Sequence, residues 1–164
     1  MAFNRPEVVL VIFGKGGHAA EMQRFMNNAP AELTNKKLIS LTDVKTKNAL
    51  YSEQFYCVEA RDKFSYIKNL FVFTLYFFWA IVQMIRILLR YKVVGMISTG
   101  PGVAIIPALL CRLLLIKVVY LESLSRIYAP SLAGRIMYHI ANLFFIQHKS
   151  LQKYYPKAIY SGRL

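Results

Sequence analysis

Acidic side chains are what this sequence has least of. It holds 8 Asp+Glu against 21 Lys+Arg, a formal net charge of +13. The shortage is uneven. Residues 1–62 carry eight basic and seven acidic residues, whereas residues 63–164 carry thirteen basic residues and one acid, Glu122. Cysteine is also scarce. Cys57 and Cys111 stand in apolar contexts without metal-ligand spacing, which excludes a disulfide framework and a zinc site and suits reduced core thiols of a cytosolic protein. No secretory leader is readable: the apolar run after Met-Ala-Phe-Asn-Arg-Pro is short and enters a glycine turn. Internal repeats and low-complexity segments are lacking, so neither a repeat array nor a biased tail is expected. The 164 residues allow one domain with a full core, spanning 1–164, and not two Rossmann domains.

What is abundant is apolar surface. Hydrophobic residues make up 56% of the chain, above the roughly 45–50% usual for soluble proteins. High apolarity combined with strong positive charge points to an anionic membrane surface rather than to nucleic acid.

The chain is organised around Val8–Glu21. Val8–Phe13 is a run of apolar, mostly β-branched residues that predicts a buried parallel strand. Gly14, Gly16 and Gly17 follow, and then a helical pattern over Ala19–Asn28. Glycines at such a turn let backbone approach a ligand, and the helix N-terminus behind them favours an anion, usually phosphate. Gly14-x-Gly16-x-x-Ala19 also fits the dinucleotide fingerprint, with Asp43 near the place of a ribose-binding acid. His18 is unusual at the mouth of such a loop. It reads as a base or phosphate contact of a group-transfer enzyme, or as a surface histidine near a helix end.

Further strands are predicted at Leu38–Leu41, Phe55–Glu59, Val93–Ile97, Lys117–Leu121 and Asn142–Ile146, with Lys157–Tyr160 extended. Helices are predicted at Tyr66–Tyr91, Ala104–Leu115, Pro130–His139 with Ser131 as N-cap, and His148–Tyr155. This βα alternation predicts an α/β fold, a single Rossmann-like doubly wound parallel sheet of about six strands. Its ligand loops are then Gly14–His18, Ser98–Gly102 and Glu122–Arg126.

Between Leu70 and Leu89 only Thr74, Gln83 and Arg86 are strongly polar. A helix of 20 residues is ~30 Å long, enough for the hydrocarbon core of a bilayer. A crossover between two strands of one sheet cannot span, so the helix over 66–91 is expected to lie on or dip into one leaflet. Phe71, Phe73, Phe77, Phe78 and Trp79 would meet lipid, with Arg86 and Arg90 at the headgroups. The polar stripe Asn69, Tyr76, Gln83, Arg86 and Arg90 would face the protein or the headgroups.

Three motifs in this order, Gly16-Gly17-His18, Thr99-Gly100-Pro101-Gly102 and Glu122 after a strand, resemble the amino-terminal half of GT-B glycosyltransferases such as the lipid II-forming GlcNAc transferase. With Tyr120-Leu-Glu-Ser-Leu-Ser-Arg126, Pro130-Ser-Leu-Ala-Gly-Arg135 and Tyr155–Leu164, nearly the whole chain resembles the membrane-anchoring subunit of two-chain glycosyltransferases. The eukaryotic member serves addition of the second GlcNAc to dolichol-linked sugar. The PssD/CpsF-like bacterial members serve exopolysaccharide and capsule assembly, and the missing amino-terminal transmembrane helix makes the chain resemble these.

The resemblance implies that this subunit holds a polyprenyl-diphosphate-linked acceptor at the cytoplasmic face of the bacterial inner membrane. A separate soluble protein would bind the nucleotide sugar, with no further cofactor, and would touch Gly162, Arg163 and Leu164. Gly14, Gly16, Gly17, Thr99, Gly100, Gly102 and Arg126 would face diphosphate. His18 is the first candidate base and Glu122 the second, the latter otherwise paired with Arg126 or Arg135. Two rivals stand beside this reading: an NAD(P)-binding protein and a membrane adaptor without chemistry.

Overall fold

In the computed structural model, residues 5–45, 48–57 and 66–163 are described, those of 66–77 by their backbone alone. The expectations for the side chains of Asn69, Phe71, Phe73, Tyr76 and Phe77, and for Leu164, lie outside the described residues.

Seven strands form one parallel sheet: β1 (Glu7–Phe13), β2 (Leu38–Thr42), β3 (Glu53–Tyr56), β4 (Lys92–Thr99), β5 (Lys117–Leu121), β6 (Leu143–Ile146) and β7 (Ile159–Tyr160). Their order is β3-β2-β1-β4-β5-β6-β7. The chain starts at the centre, winds outward to β3 and returns to β4 beside β1. The strand order therefore reverses between β1 and β4, where open α/β sheets place their ligand crevice.

Among the described residues, five α-helices accompany the strands: α1 (Gly17–Asn27), α2 (Ala31–Thr34), α3 (Tyr66–Arg90), α4 (Ile105–Leu113) and α5 (Leu132–Ile140). Side-chain alternation along β1 sorts two cores. Val8, Leu10 and Ile12 pack with Met84 of α3, Cys111 of α4 and Met137 of α5. Val9, Val11 and Phe13 pack with Met22 and Met26 of α1. These six of the seven β1 residues are buried, the reason Val8–Phe13 is a continuous apolar run.

Four details differ from the sequence expectation. The edge strand β3 starts earlier than expected, at Glu53, and runs to Tyr56, because its register is set by Ile39↔Glu53 through Thr42↔Tyr56; Val58 and Glu59 of the expected strand lie outside the described residues. A seventh strand, β7, pairs with β6 at Phe145↔Ile159 and Ile146↔Tyr160. The helix expected over His148–Tyr155 contracts to a 3-10 turn at Lys149–Leu151. There Gln152 Nε2 donates to the carbonyls of Tyr155, Pro156 and Ala158 and curls the chain into a loop. Finally, α1 begins two residues early, at Gly17, with Gly16 as its N-cap at φ +70°.

The long helix α3 is the crossover from β3 to β4. At 25 residues it is ~37 Å long. Ala80, Met84 and Ile87 are fully buried against the sheet. On its other side Phe78, Val82, Ile85 and Leu89 are 62%, 40%, 50% and 71% exposed. The expected polar stripe divides. Gln83 turns inward and donates to the Tyr56 carbonyl, Arg86 is exposed, and Arg90 pairs with Glu53 at 2.9 Å. Among the described residues, no helix is long and apolar enough to cross a membrane.

At the end of α4, Ile116 N donates to Cys111 O and Leu115 N to Arg112 O, a Schellman arrangement. Its left-handed position, usually glycine, is Leu115 at φ +59°. Leu113, Leu114 and Leu115 are all exposed.

Candidate active site

The site lies at the carboxyl ends of β1, β4 and β5. The loop after β1 carries Gly14 and Gly16 into α1, and His18 falls in the first helical turn. Asp43 at the end of β2 accepts from Lys15 N at 2.7 Å and pins this loop. The carboxylate that a dinucleotide reading assigns to a ribose is thus engaged by backbone. From β4, Thr99 Oγ1 donates to His18 O at 2.9 Å. Gly100 follows at φ +83°, where a Cβ would stand 2.8 Å from His18 Cε1, 3.0 Å from Nδ1 and 3.2 Å from Ser123 Cβ. Glycine is required here for both backbone and space. On the other side, a Cβ on Gly14 would lie 3.2 Å from Pro101 Cβ and 3.7 Å from His18 Cδ2. The imidazole is held between two glycines. Positions Gly16, Gly17 and Gly102 face open space within 4 Å.

The third loop is tied to the first through Glu21 of α1. Its Oε1 accepts from Ser123 Oγ and from Leu124 N, both at 2.9 Å. His148 reaches the same loop, its Nε2 standing 2.8 Å from Leu124 O.

Glu122 has a different setting. It is fully buried. Ser131 Oγ donates to its Oε1 at 2.8 Å, Ser123 N to Oε1 at 3.1 Å and Tyr155 Oη to Oε2 at 2.9 Å. Ser131 works in two directions, since its oxygen also accepts from Gly134 N at 2.7 Å as the N-cap of α5. A Cβ on Gly134 would stand 1.7 Å from Glu122 Oε2. Neither Arg126 nor Arg135 pairs with Glu122; neutral donors satisfy it. Burial, with Glu122 alongside, pushes the Tyr155 hydroxyl far above its ordinary range. Tyr155 stays a donor, and Glu122 joins β5, α5 and the chain before β7 into one buried knot.

The profile of the family described as "Oligosaccharide biosynthesis protein Alg14 like" matches residues 9–164. The chain belongs to that family. The rat UDP-N-acetylglucosamine transferase subunit ALG14 is 29% identical over 181 residues, covering 95% of this chain and 82% of the rat protein. The namesake subunit of Saccharomyces cerevisiae is 26% identical, covering 98% of this chain and 78% of the yeast protein. Among solved structures, Acinetobacter baumannii MurG superposes with a TM-score of 0.53 at 16% identity. That match covers 86% of this chain and 41% of MurG, a likeness of fold. These relatives in rat and yeast lend nothing to the bacterial inner-membrane setting expected above.

In this Alg14-like chain the structure sets Gly14 and Gly100 on two sides of the His18 imidazole, with Ser123 next to Gly100. Thr99 is wholly buried and braces the helix turn instead of facing the crevice. Arg126 is exposed, its N–H donating to Ser123 O. Gly162 and Arg163 follow β7 at the sheet edge, with Ser161 N donating to Ile146 O. Beside them an apolar groove of about 100 Å³ runs between Phe25 of α1 and Val119, Phe145 and Ser161 on the sheet.

Sequence reasoning missed Glu21 and Gly134. The first sits three residues after His18 in a helix, a spacing that puts both on one face. The second gave no local signal, because its constraint comes from a carboxylate on another element.

Proposed function

We propose that this chain is the acceptor-binding, membrane-attached subunit of a two-chain glycosyltransferase. It transfers a sugar from a UDP-sugar to a polyprenyl-diphosphate-linked saccharide. Membership of an oligosaccharide biosynthesis family supports a glycosyltransferase subunit, and the named relatives favour N-acetylglucosamine as the sugar. One observation carries the assignment of the chemistry: His18 stands at the reversal point of the sheet, packed between the glycines of the loops after β1 and β4.

In this reading the open backbone around Gly16, Gly17 and Gly102 receives the diphosphate, with Arg126 beside it. The acceptor hydroxyl attacks the anomeric carbon, His18 takes the hydroxyl proton, and UDP leaves with the electrons of the broken C–O bond. A partner protein supplies the donor site and docks along the sheet edge near Gly162 and Arg163. Glu122 serves as the buried scaffold beneath the site, since its carboxylate is filled by protein donors.

Attachment to lipid is supported by one side of the molecule. The exposed residues of α3 and the leucines after α4 lie on the same face of the sheet. Arg86 and Arg90 of α3 and Arg112 of α4 are exposed on the same helices. Apolar side chains rimmed by cations suit an anionic bilayer surface.

The test is co-purification from detergent-solubilised native membranes, then transfer of radiolabelled N-acetylglucosamine to a polyprenyl-diphosphate acceptor by the isolated pair. His18→Ala is expected to lower kcat by about 10²–10⁴-fold with the pair still assembled. Undiminished transfer would leave the chain an adaptor without chemistry.

A further inference from the structure

Glu21 is buried, 5% exposed, and only half of its carboxylate is used. Oε1 holds the loop after β5 through Ser123 and Leu124. Oε2 is buried without a hydrogen-bond partner. His18 Nδ1 is also buried without one. The two orphans face each other across 3.9 Å. A buried acceptor and a buried ring nitrogen that lack partners are each costly, and one proton on Nδ1 satisfies both.

The packing of the ring says which nitrogen remains for chemistry. The Cε1 and Nδ1 edge takes the space that a Cβ at Gly100 would fill, and the Cδ2 side lies towards Gly14. The His18 side chain is nonetheless 32% exposed, and because Nδ1 is buried, that exposure leaves Nε2 as the ring nitrogen on the open edge. We infer that Glu21 is a positioning residue that fixes His18 as the Nδ1–H tautomer, so that Nε2 faces the crevice as the proton acceptor. The inference rests on the reading of His18 as the base. A torsional adjustment of about 1 Å brings Nδ1–H into hydrogen-bond range of Oε2. When Nε2 takes the acceptor proton, the imidazolium forms beside the Glu21 carboxylate, the arrangement by which carboxylates orient catalytic histidines elsewhere.

Glu21→Gln tests this in the assembled two-chain enzyme. The Leu124 N–H and Ser123 O–H require an oxygen at the Oε1 position. The amide nitrogen must then occupy the Oε2 position, where it donates to Nδ1 and forces the proton onto Nε2. The expected result is a fall in kcat of about 10²–10⁴-fold, with the acceptor KM within about 3-fold of wild type. In ¹⁵N-histidine spectra of the same complex, the His18 Nδ1 and Nε2 resonances should exchange protonated and unprotonated character. Ser123→Ala removes one donor to Oε1, leaves Oε2 in place and should keep the wild-type tautomer. A Glu21→Gln enzyme with kcat within about 3-fold of wild type, or a wild-type His18 protonated on Nε2, overturns the inference. His18→Ala separates the two levels. If it retains transfer, the base assignment falls; if it loses transfer while Glu21→Gln does not, only the role of Glu21 falls.

Discussion

Gly134 has no room for a methyl group. A Cβ there would sit 1.7 Å from Glu122 Oε2, which accepts from Tyr155 Oη at 2.9 Å and from Ser131 Oγ at 3.2 Å. Gly134→Ala is therefore expected to cost about 3 kcal/mol or more, or to prevent soluble expression, since the clash must break a buried hydrogen-bond network. Chemical denaturation of the two proteins checks this. Gly100→Ala should act differently. Its new methyl group would press on the His18 ring from a backbone conformation unfavourable for alanine, so transfer activity should fall along with stability. The two glycines look alike in the sequence. What distinguishes them is which carboxylate or imidazole the fold brings against each, and that is set by residues far along the chain.

At the scale of elements, α3 presents two faces with separate jobs. Ala80, Met84 and Ile87 anchor it to the sheet, while Val82 and Ile85 point outward. Replacing Val82 and Ile85 together by Glu should leave the melting temperature nearly unchanged, as exposed positions do. It should also lower binding to vesicles containing anionic lipid by about 10-fold or more, measured by flotation, because two buried apolar contacts become charged. Equal binding by the double variant would detach α3 from the membrane. This helix was legible in the sequence because its apolar stretch is long and unmistakable. Strands β1, β4 and β5 were legible for a similar reason: burial on both faces makes each a short continuous apolar run. The edges were harder. Strand β3 is half polar, and β7 has two exposed residues with nothing periodic to mark them. The glycine loops and His18 could be picked out locally, but the buried setting of Glu122 could not. Its three donors come from residues 123, 131 and 155 and meet only in the folded sheet.

At the scale of the whole molecule, charge and burial set two limits on working conditions. Binding of this chain, with its thirteen basic residues and one acid in the carboxyl part, to anionic vesicles should weaken as salt rises, because screening acts on exposed charge. The second limit is alkaline. Burial pushes the thiols of Cys57 and Cys111 and the hydroxyl of Tyr51 up to about 12. Each then holds its proton more tightly folded than unfolded. The stability that this contributes is complete below about pH 9 and is lost as pH rises toward 12. Denaturation midpoints should fall across that window, and both thiols should resist alkylation at pH 8 until the protein unfolds. The turn after α4 adds a tension between folding and attachment. Leu115 occupies a conformation that glycine would adopt without strain, yet its side chain is 88% exposed and contributes almost nothing to the core. Leu115→Gly should therefore raise the melting temperature slightly while loosening the protein from lipid vesicles. A Leu115→Gly chain that melts later yet holds vesicles less well would mean that this leucine sets the stability of the isolated fold against contact with lipid.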